Sequence, residues 1–277
     1  MLSAQTAIHR YRRDVALGLV VRSLLLAAGV ASVLVLPFVL KGFDASFGLA
    51  IVFGVWLVLN FTSAKSSRLL APSPELIATG QFEEAERLID ESTRAFSLSR
   101  TSKLLGLHHL AVLRHKQRRW QEAVALGRAV LGQRLSALPG LDRATRLILA
   151  DALLELGEVR GAADAISPLR AVQLPLPESL ALLQSELDVM SRMGAWDAML
   201  AGLPDKVQLA ELMPPHGAAR VQACLALAAS KRGMADWADW LRRRVELLAD
   251  VGKLTADRPV LWELWQSKNS ADPESQV

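Results

Sequence analysis

The stretch LHHLAVLRHKQRRWQEA, residues 107–123, decides the fold. Leu107 and the pair Leu110-Ala111 lead into a polar turn at Arg118. Trp120 follows that turn by two residues and Ala123 by five. The same design recurs at GQFEEA (80–85), GEVRGA (157–162), GAWDAM (194–199) and GMADWA (233–238). The turn residues Gly80, Arg118, Gly157, Gly194 and Gly233 lie 38, 39, 37 and 39 residues apart. Each segment reads as two helices joined at a left-handed cap, the conformation glycine adopts most cheaply. The apolar residue after the turn plugs the hairpin, and the alanine lets the second helix approach the first. A fixed period of paired helices predicts a stacked array.

Upstream of the array lie two apolar runs. Residues 24–40 form one, extended to 16–40 if Arg22 is tolerated, and residues 45–61 form the other. About 17–25 apolar residues suffice to cross a bilayer. The break at Lys41-Gly42-Phe43-Asp44 has the size of a tight helical-hairpin turn. Arg10, Arg12, Arg13 and Arg22 precede the hairpin and Lys65 and Arg68 follow it, so positive charge predicts both termini on the cytoplasmic side. A secretory signal peptide fits poorly, because the first run stays apolar past its only small-residue stretch and a second run follows directly. Ala27/Ala31, Ala28/Ser32 and Ala50/Gly54 recur four apart and would permit close helix contact, or are simply common apolar-helix residues.

Composition agrees with an all-α chain. There is one Tyr and few β-branched clusters, which argues against an all-β domain. The one cysteine, Cys224, excludes a disulfide framework and suits a reducing compartment. A net charge of +4 is mild and fits proximity to anionic lipid without requiring nucleic acid. The expected organisation is a basic cytoplasmic N-terminus (1–15), a first span (16–40), a short loop (41–44) and a second span (45–62). A linker (63–73), the repeat domain (74–250), a capping helix (251–266) and a disordered tail (267–277) complete it.

The hairpins resemble the tetratricopeptide repeat, in which a bulky residue, a large-small pair and a second bulky residue precede the turn. Leu107 and Leu110-Ala111 match in the second hairpin, and Leu149-Ala150 with Leu153 in the third. The fifth offers Leu225-Ala226 but has Ala229 in place of the second bulky residue. The fourth has Glu186-Leu187 at the paired position and Met199 in place of the small one. The first lacks a full leading helix, since Pro72 and Pro74 interrupt it. The period exceeds the family's 34 residues, which assigns the excess to linkers at 136–141 and 174–177; a HEAT-like pairing is the alternative. The resemblance implies an α-solenoid of about five repeats with a concave groove for a partner's peptide or helix. In the family's register the groove positions are Leu105, His108, Val112, His115, Lys116, Asp151, Leu154, Glu155, Gln184, Asp188, Ser191 and Arg192. The two-Lys, two-Asn clamp of chaperone-tail binders is absent.

Catalytic chemistry finds no support in the motifs. His108, His109 and His115 share a helix without the spacing or companion ligands of a metal site. No nucleophile elbow, phosphate-cradling loop or Cys-His pairing occurs, and Cys224 among alanines reads as a small buried hydrophobe. Arg114, Lys116, Arg118 and Arg119 crowd one hairpin and Arg242, Arg243 and Arg244 another. Solvated faces or inter-helix pairing explain both better than nucleic acid. Trp237/Trp240 and Trp262/Trp265 are each three apart and read as packing, the second pair on the capping helix. The expected function is a membrane-anchored scaffold that binds a protein partner, with no catalytic residue, metal or cofactor and no nucleic acid. Two spans followed by a tetratricopeptide domain also resemble the bacterial HemY-type inner-membrane proteins associated with haem metabolism. That likeness implies an accessory role in a biosynthetic pathway; a subunit of a larger membrane complex is a third reading.

Overall fold

The computed structural model describes residues 2–34, 45–95, 97, 99–135 and 138–269. Its helices are α1 (Ala4–Leu34), α2 (Ala45–Leu70), α3 (Ser73–Ala78), α4 (Phe82–Arg94), α5 (Arg100–Lys116), α6 (Trp120–Leu131), α7 (Pro139–Glu155) and α8 (Val159–Ile166). They continue as α9 (Leu176–Arg192), α10 (Trp196–Leu200), α11 (Leu203–Glu211), α12 (Pro215–Lys231), α13 (Ala235–Leu248), α14 (Val251–Asp257) and α15 (Glu263–Asn269). Turns of 3-10 helix cover Ser167–Ala171 and Pro259–Trp262. Among the described residues there is no strand. Contacts divide the chain into two units, residues 1–152 and residues 153–277.

All five anticipated turn residues have a left-handed backbone. Gly80, Gly157, Gly194 and Gly233 have φ of 80°, 78°, 67° and 72°, and Arg118 has φ 59°. Each turn closes with a bond of 2.8–2.9 Å from the amide that follows it to a carbonyl five residues back: Gln81 to Leu76, Arg119 to Arg114, Glu158 to Leu153, Ala195 to Met190 and Met234 to Ala229. That bond satisfies a carbonyl the helix would otherwise leave open. Arg118 lacks glycine's freedom, so its turn carries strain of about 1–2 kcal/mol. The small residue five positions on is buried at Ala85, Ala123, Ala162 and Ala238, and Met199 is buried at the corresponding place. A side chain there sits where the two helices of a hairpin meet.

α1 and the helix after it are long and apolar enough to cross a membrane, and only 6% and 11% of their apolar windows are buried. A soluble protein's core helix would show the opposite. Residues 17–34 of α1 expose Leu19, Leu24, Leu26 and Leu34, and α2 exposes Phe53, Trp56, Val58 and Phe61. The end of the first expected span (35–40) and the loop 41–44 lie outside the described residues.

The segment expected as a basic cytoplasmic N-terminus forms the first half of α1, packed onto the first unit. Ala4, Ala7, Tyr11 and Asp14 recur at helical spacing and are all buried. Arg10 pairs with Asp90 at 2.7 Å, Asp14 with Lys103 at 2.8 Å, and Tyr11 donates its hydroxyl to Gln133 at 3.1 Å. The expected linker 63–73 is also ordered: α2 runs on to Leu70 and α3 begins at Ser73. Its serines are bonded rather than loop-forming. Ser63 and Ser67 donate to carbonyls four residues back, and Ser66 donates to Ser92 O at 3.1 Å. The core of this unit gathers Leu2, Tyr11, Leu70, Ile77, Ile89, Leu104, Leu107, Leu110 and Leu126.

The second unit is built around α12, where Val221, Ala223, Leu225, Leu227 and the neighbouring alanines are buried. Small side chains around the whole circumference let α9, α11 and α13 approach it together. Part of the long fourth interval is an unanticipated helix, α11, entered through Gly202 at φ 65°. The expected capping helix 251–266 is broken at Arg258-Pro259 into α14, a 3-10 turn and α15, because proline cannot continue the helical bonding. Leu254, Leu261 and Leu264 from these pieces nevertheless enter the unit's core, as a cap should. Residues 267–269 of the expected tail belong to α15, and 270–277 lie outside the described residues.

Candidate functional site

Ser99 caps α5 by accepting from Ser102 N, and the helix presents three histidines along its length. His108 Nδ1 lies 2.9 Å from Thr145 Oγ1, and Thr145 donates its hydroxyl to Leu141 O. With the hydroxyl proton committed, the ring nitrogen donates. His109 repeats the arrangement: its Nδ1 lies 2.7 Å from Ser73 Oγ, which donates to Leu70 O. Burial, assisted by His109, pushes the His108 pKa down to about 4. Burial also lowers that of His109. His115 bonds Asp151 at 2.7 Å and packs edge-on against Trp120.

His108 is therefore a packed, neutral core residue and not the groove lining expected of it. Leu105 and Val112 are half-buried against the same core. Lys116 is exposed. Arg114, read from sequence as part of a charge run, is 0% exposed. It bonds Glu86 at 2.9 and 3.0 Å, Glu122 at 3.2 Å and Gln117 at 2.6 Å, and reaches Leu2 O on the incoming chain. The Arg114 hydrogen bonds hold the Glu86 carboxyl below its usual range.

In the second unit several expected groove positions do converge, around a cavity of about 240 Å³. Asp188, Ser191, Arg192, Cys224, Arg258 and Leu261 line it. Asp188 is 3% exposed and is held by Arg220, with Arg258 Nη2 at 3.6 Å. Arg258 also pairs with Glu155, and the Gln184 amide lies against Arg220. Arg192 donates to Leu154 O, Ser191 donates to Asp188 O at 2.9 Å, and Leu154 is buried. Cys224 Sγ stands 3.9 Å from Asp188 Oδ1. Burial raises its pKa to about 11, against the opposing pull of Arg220 and Arg258, which keeps it a thiol. A protonated thiol beside a neutralised carboxylate is poorly suited to nucleophilic attack.

Three participants escaped the sequence reading: Arg220, Arg258 and the N-terminal stripe. Arg258 lies 103 residues from Glu155, so no local pattern links them. The stripe was legible in principle, since positions 4, 7, 11, 14 and 18 share one helix face. The arginine triplet is largely paired: Arg242 with Asp239 at 2.8 Å, and Arg244 with Glu211 at 2.7 Å while lying over the Trp240 ring. Arg243 is exposed. Trp237 packs against the core and meets Trp240 edge-on, and Trp265 packs there too, donating to Glu246 at 3.1 Å; Trp262 is exposed. Among the described residues no cluster of His, Cys, Asp and Glu could hold a metal ion. No protein-family model, curated protein or solved structure matches the chain.

Proposed function

We propose that this chain is a membrane-anchored scaffold without enzymatic activity: α1 and α2 cross the bilayer with both termini cytoplasmic, and tetratricopeptide-like hairpins bind a protein partner. The observation that carries the reading is the inverted exposure of one chain. Its most apolar helices face outward, while its hairpins bury their own apolar residues and are closed by repeated turns. The buried, hydrogen-bonded His108 and the protonated, buried Cys224 favour recognition over bond-making chemistry.

The burial of His108, Leu154, Asp188 and Ser191 narrows the binding surface to what remains accessible on the leading helices. In the first unit those are Leu105, Val112, His115, Lys116 and Asp151; in the second they are Glu155, Gln184 and Arg192. In the first unit, a peptide or amphipathic helix carrying both apolar and acidic groups would match Val112 and Lys116.

Crosslinking in native membranes tests the reading. Val112→Ala combined with Lys116→Ala is expected to lose the main crosslinked partner, and Arg243→Gln to keep it. The reverse pattern overturns the surface. Extraction of the full chain by alkaline carbonate would overturn the anchor, and digestion of the hairpin units by protease added outside intact cells would overturn the topology.

A further inference from the structure

The outer face of α13 carries Asp236, Trp240, Arg243 and Leu247, spaced four, three and four residues apart. That spacing keeps the four side chains on one side of the helix. All are exposed, and Leu247, at 88%, is the most exposed large apolar side chain among the described residues. The other side of the helix, Ala238, Leu241 and Val245, is buried. We propose that this stripe is the interface with a second copy of the chain, the two α13 helices lying antiparallel about a two-fold axis beside Trp240.

Charge selects both the occupant and its direction. Arg242 pairs with Asp239 at 2.8 Å and Arg244 with Glu211 at 2.7 Å. Arg243 and Asp236 have no ion-pair partner among the described residues. Asp236 stands four residues before Trp240 and Arg243 three after it. A two-fold axis between positions 239 and 240 therefore sets Asp236 of each copy opposite Arg243 of the other. A parallel pair would set Asp236 on Asp236 and Arg243 on Arg243, an arrangement that like charges oppose.

The apolar positions follow the same axis. The two Trp240 rings meet at its centre, where aromatic pairs gain from offset or edge-on contact. Each ring is already positioned by its own chain, edge-on to Trp237 at 5.5 Å and under Arg244 at 4.9 Å, so little order has to be created on association. Leu247 of each copy lies opposite the start of the other's α13, where Met234 is 37% exposed. The stripe thus complements itself, as a two-fold interface requires. One helix stripe is smaller than a standard interface of about 1,600 Å², which makes the association reversible. It needs neither the anchor nor the groove proposed above.

Crosslinking of the full chain in native membranes tests the register. Chains carrying Asp236→Cys and Arg243→Cys, coexpressed with different tags and mildly oxidised, should form a mixed disulfide. Each variant alone should not, because its like positions lie about 10 Å apart along the axis, beyond the reach of about 7 Å between bridged Cα atoms. The native thiol, Cys224, is buried and does not compete. Sedimentation of the full chain in a zwitterionic detergent tests the charges. Asp236→Arg and Arg243→Asp should each weaken the dimer at least about tenfold by facing like charges, and the chain carrying both changes should recover wild-type association. A monomeric wild type, no mixed disulfide, equal crosslinking by either cysteine variant alone, or a charge swap that fails to restore the dimer overturns the proposal. So does a disulfide from these positions to a different protein in place of the mixed product. All four positions are exposed, so the variants should melt with the wild type; if a charge variant does not, the cysteine pair decides.

Discussion

In the first half of α1, Tyr11 and Asp14 are buried, while in the second half Leu24 and Leu26 are 63% and 71% exposed. One continuous helix thus meets two different surroundings. The lower half treats its own hairpins as the interior and places polar groups there only with partners, Asp14 on Lys103 and Tyr11 on Gln133. The upper half keeps its apolar side chains outside, which water would penalise and a hydrocarbon layer would not. The contrast locates the boundary of the proposed bilayer near Arg22. It also makes α1 one continuous helix from the proposed anchor into the first unit.

The sharpest way to break this contrast is to truncate both halves alike. Tyr11→Ala is expected to cost about 3 kcal/mol by leaving a cavity under a buried ring, whereas Leu24→Ala in detergent should fall within about 0.5 kcal/mol of wild type. Denaturant melts of the full chain measure both, and equal losses would mean that the two halves share one environment. A chain beginning at Pro72 should for the same reason be less stable than the full chain, because it loses the Tyr11 and Leu70 contacts of the first core.

Acid tests the interior of the first unit. His108 falls from 6.5 to about 4 on folding, so between those values the unfolded chain binds more protons than the folded one. Stability is complete above about pH 6.5 and declines as pH falls towards 4, by up to about 3 kcal/mol. Burial of His109 acts in the same direction. His108→Gln should flatten the decline in melting temperature across this window. An undiminished slope would place the histidine in water.

Smaller effects probe the hairpins. Ala162→Trp should cost about 1–3 kcal/mol by forcing apart two helices, while Ala163→Trp, one residue around the helix and half-buried, should cost less. Equal melting temperatures for the two variants would refute the register. Arg118→Gly should stabilise by about 0.5 kcal/mol, since relief of left-handed strain is partly offset by the freedom glycine gains when unfolded. Its melting temperature against wild type checks the sign.

The turns were legible because each is written within six consecutive residues. A glycine (Arg118 in one turn), the plug two residues later and the alanine (Met199 in one) five residues later lie within a single turn and the start of its second helix. The proposed binding face was less legible. A periodic register names which helix position faces a neighbour, but His108 turned inward because Thr145 on another helix offered it an oxygen. Asp188 became a paired core carboxylate because Arg220 and Arg258 arrived from distant segments. The segment expected as a linker at 63–73 is largely helical, and its serines donate to carbonyls four residues back and to a second helix.

By itself the sequence determined the helical class, the two apolar helices, the five left-handed turns and the alanines beneath them. These depend on hydrophobic period and backbone geometry over a few residues, where chain order dictates the neighbours. Tertiary structure alone decided where the N-terminal stripe docks and that Arg114 is buried. Such outcomes depend on which side chains meet across long separations, Leu2 with Arg114 across 112 residues and Arg258 with Glu155 across 103. A charge becomes buried only when packing supplies its counter-charge and excludes water, and no local pattern encodes that meeting.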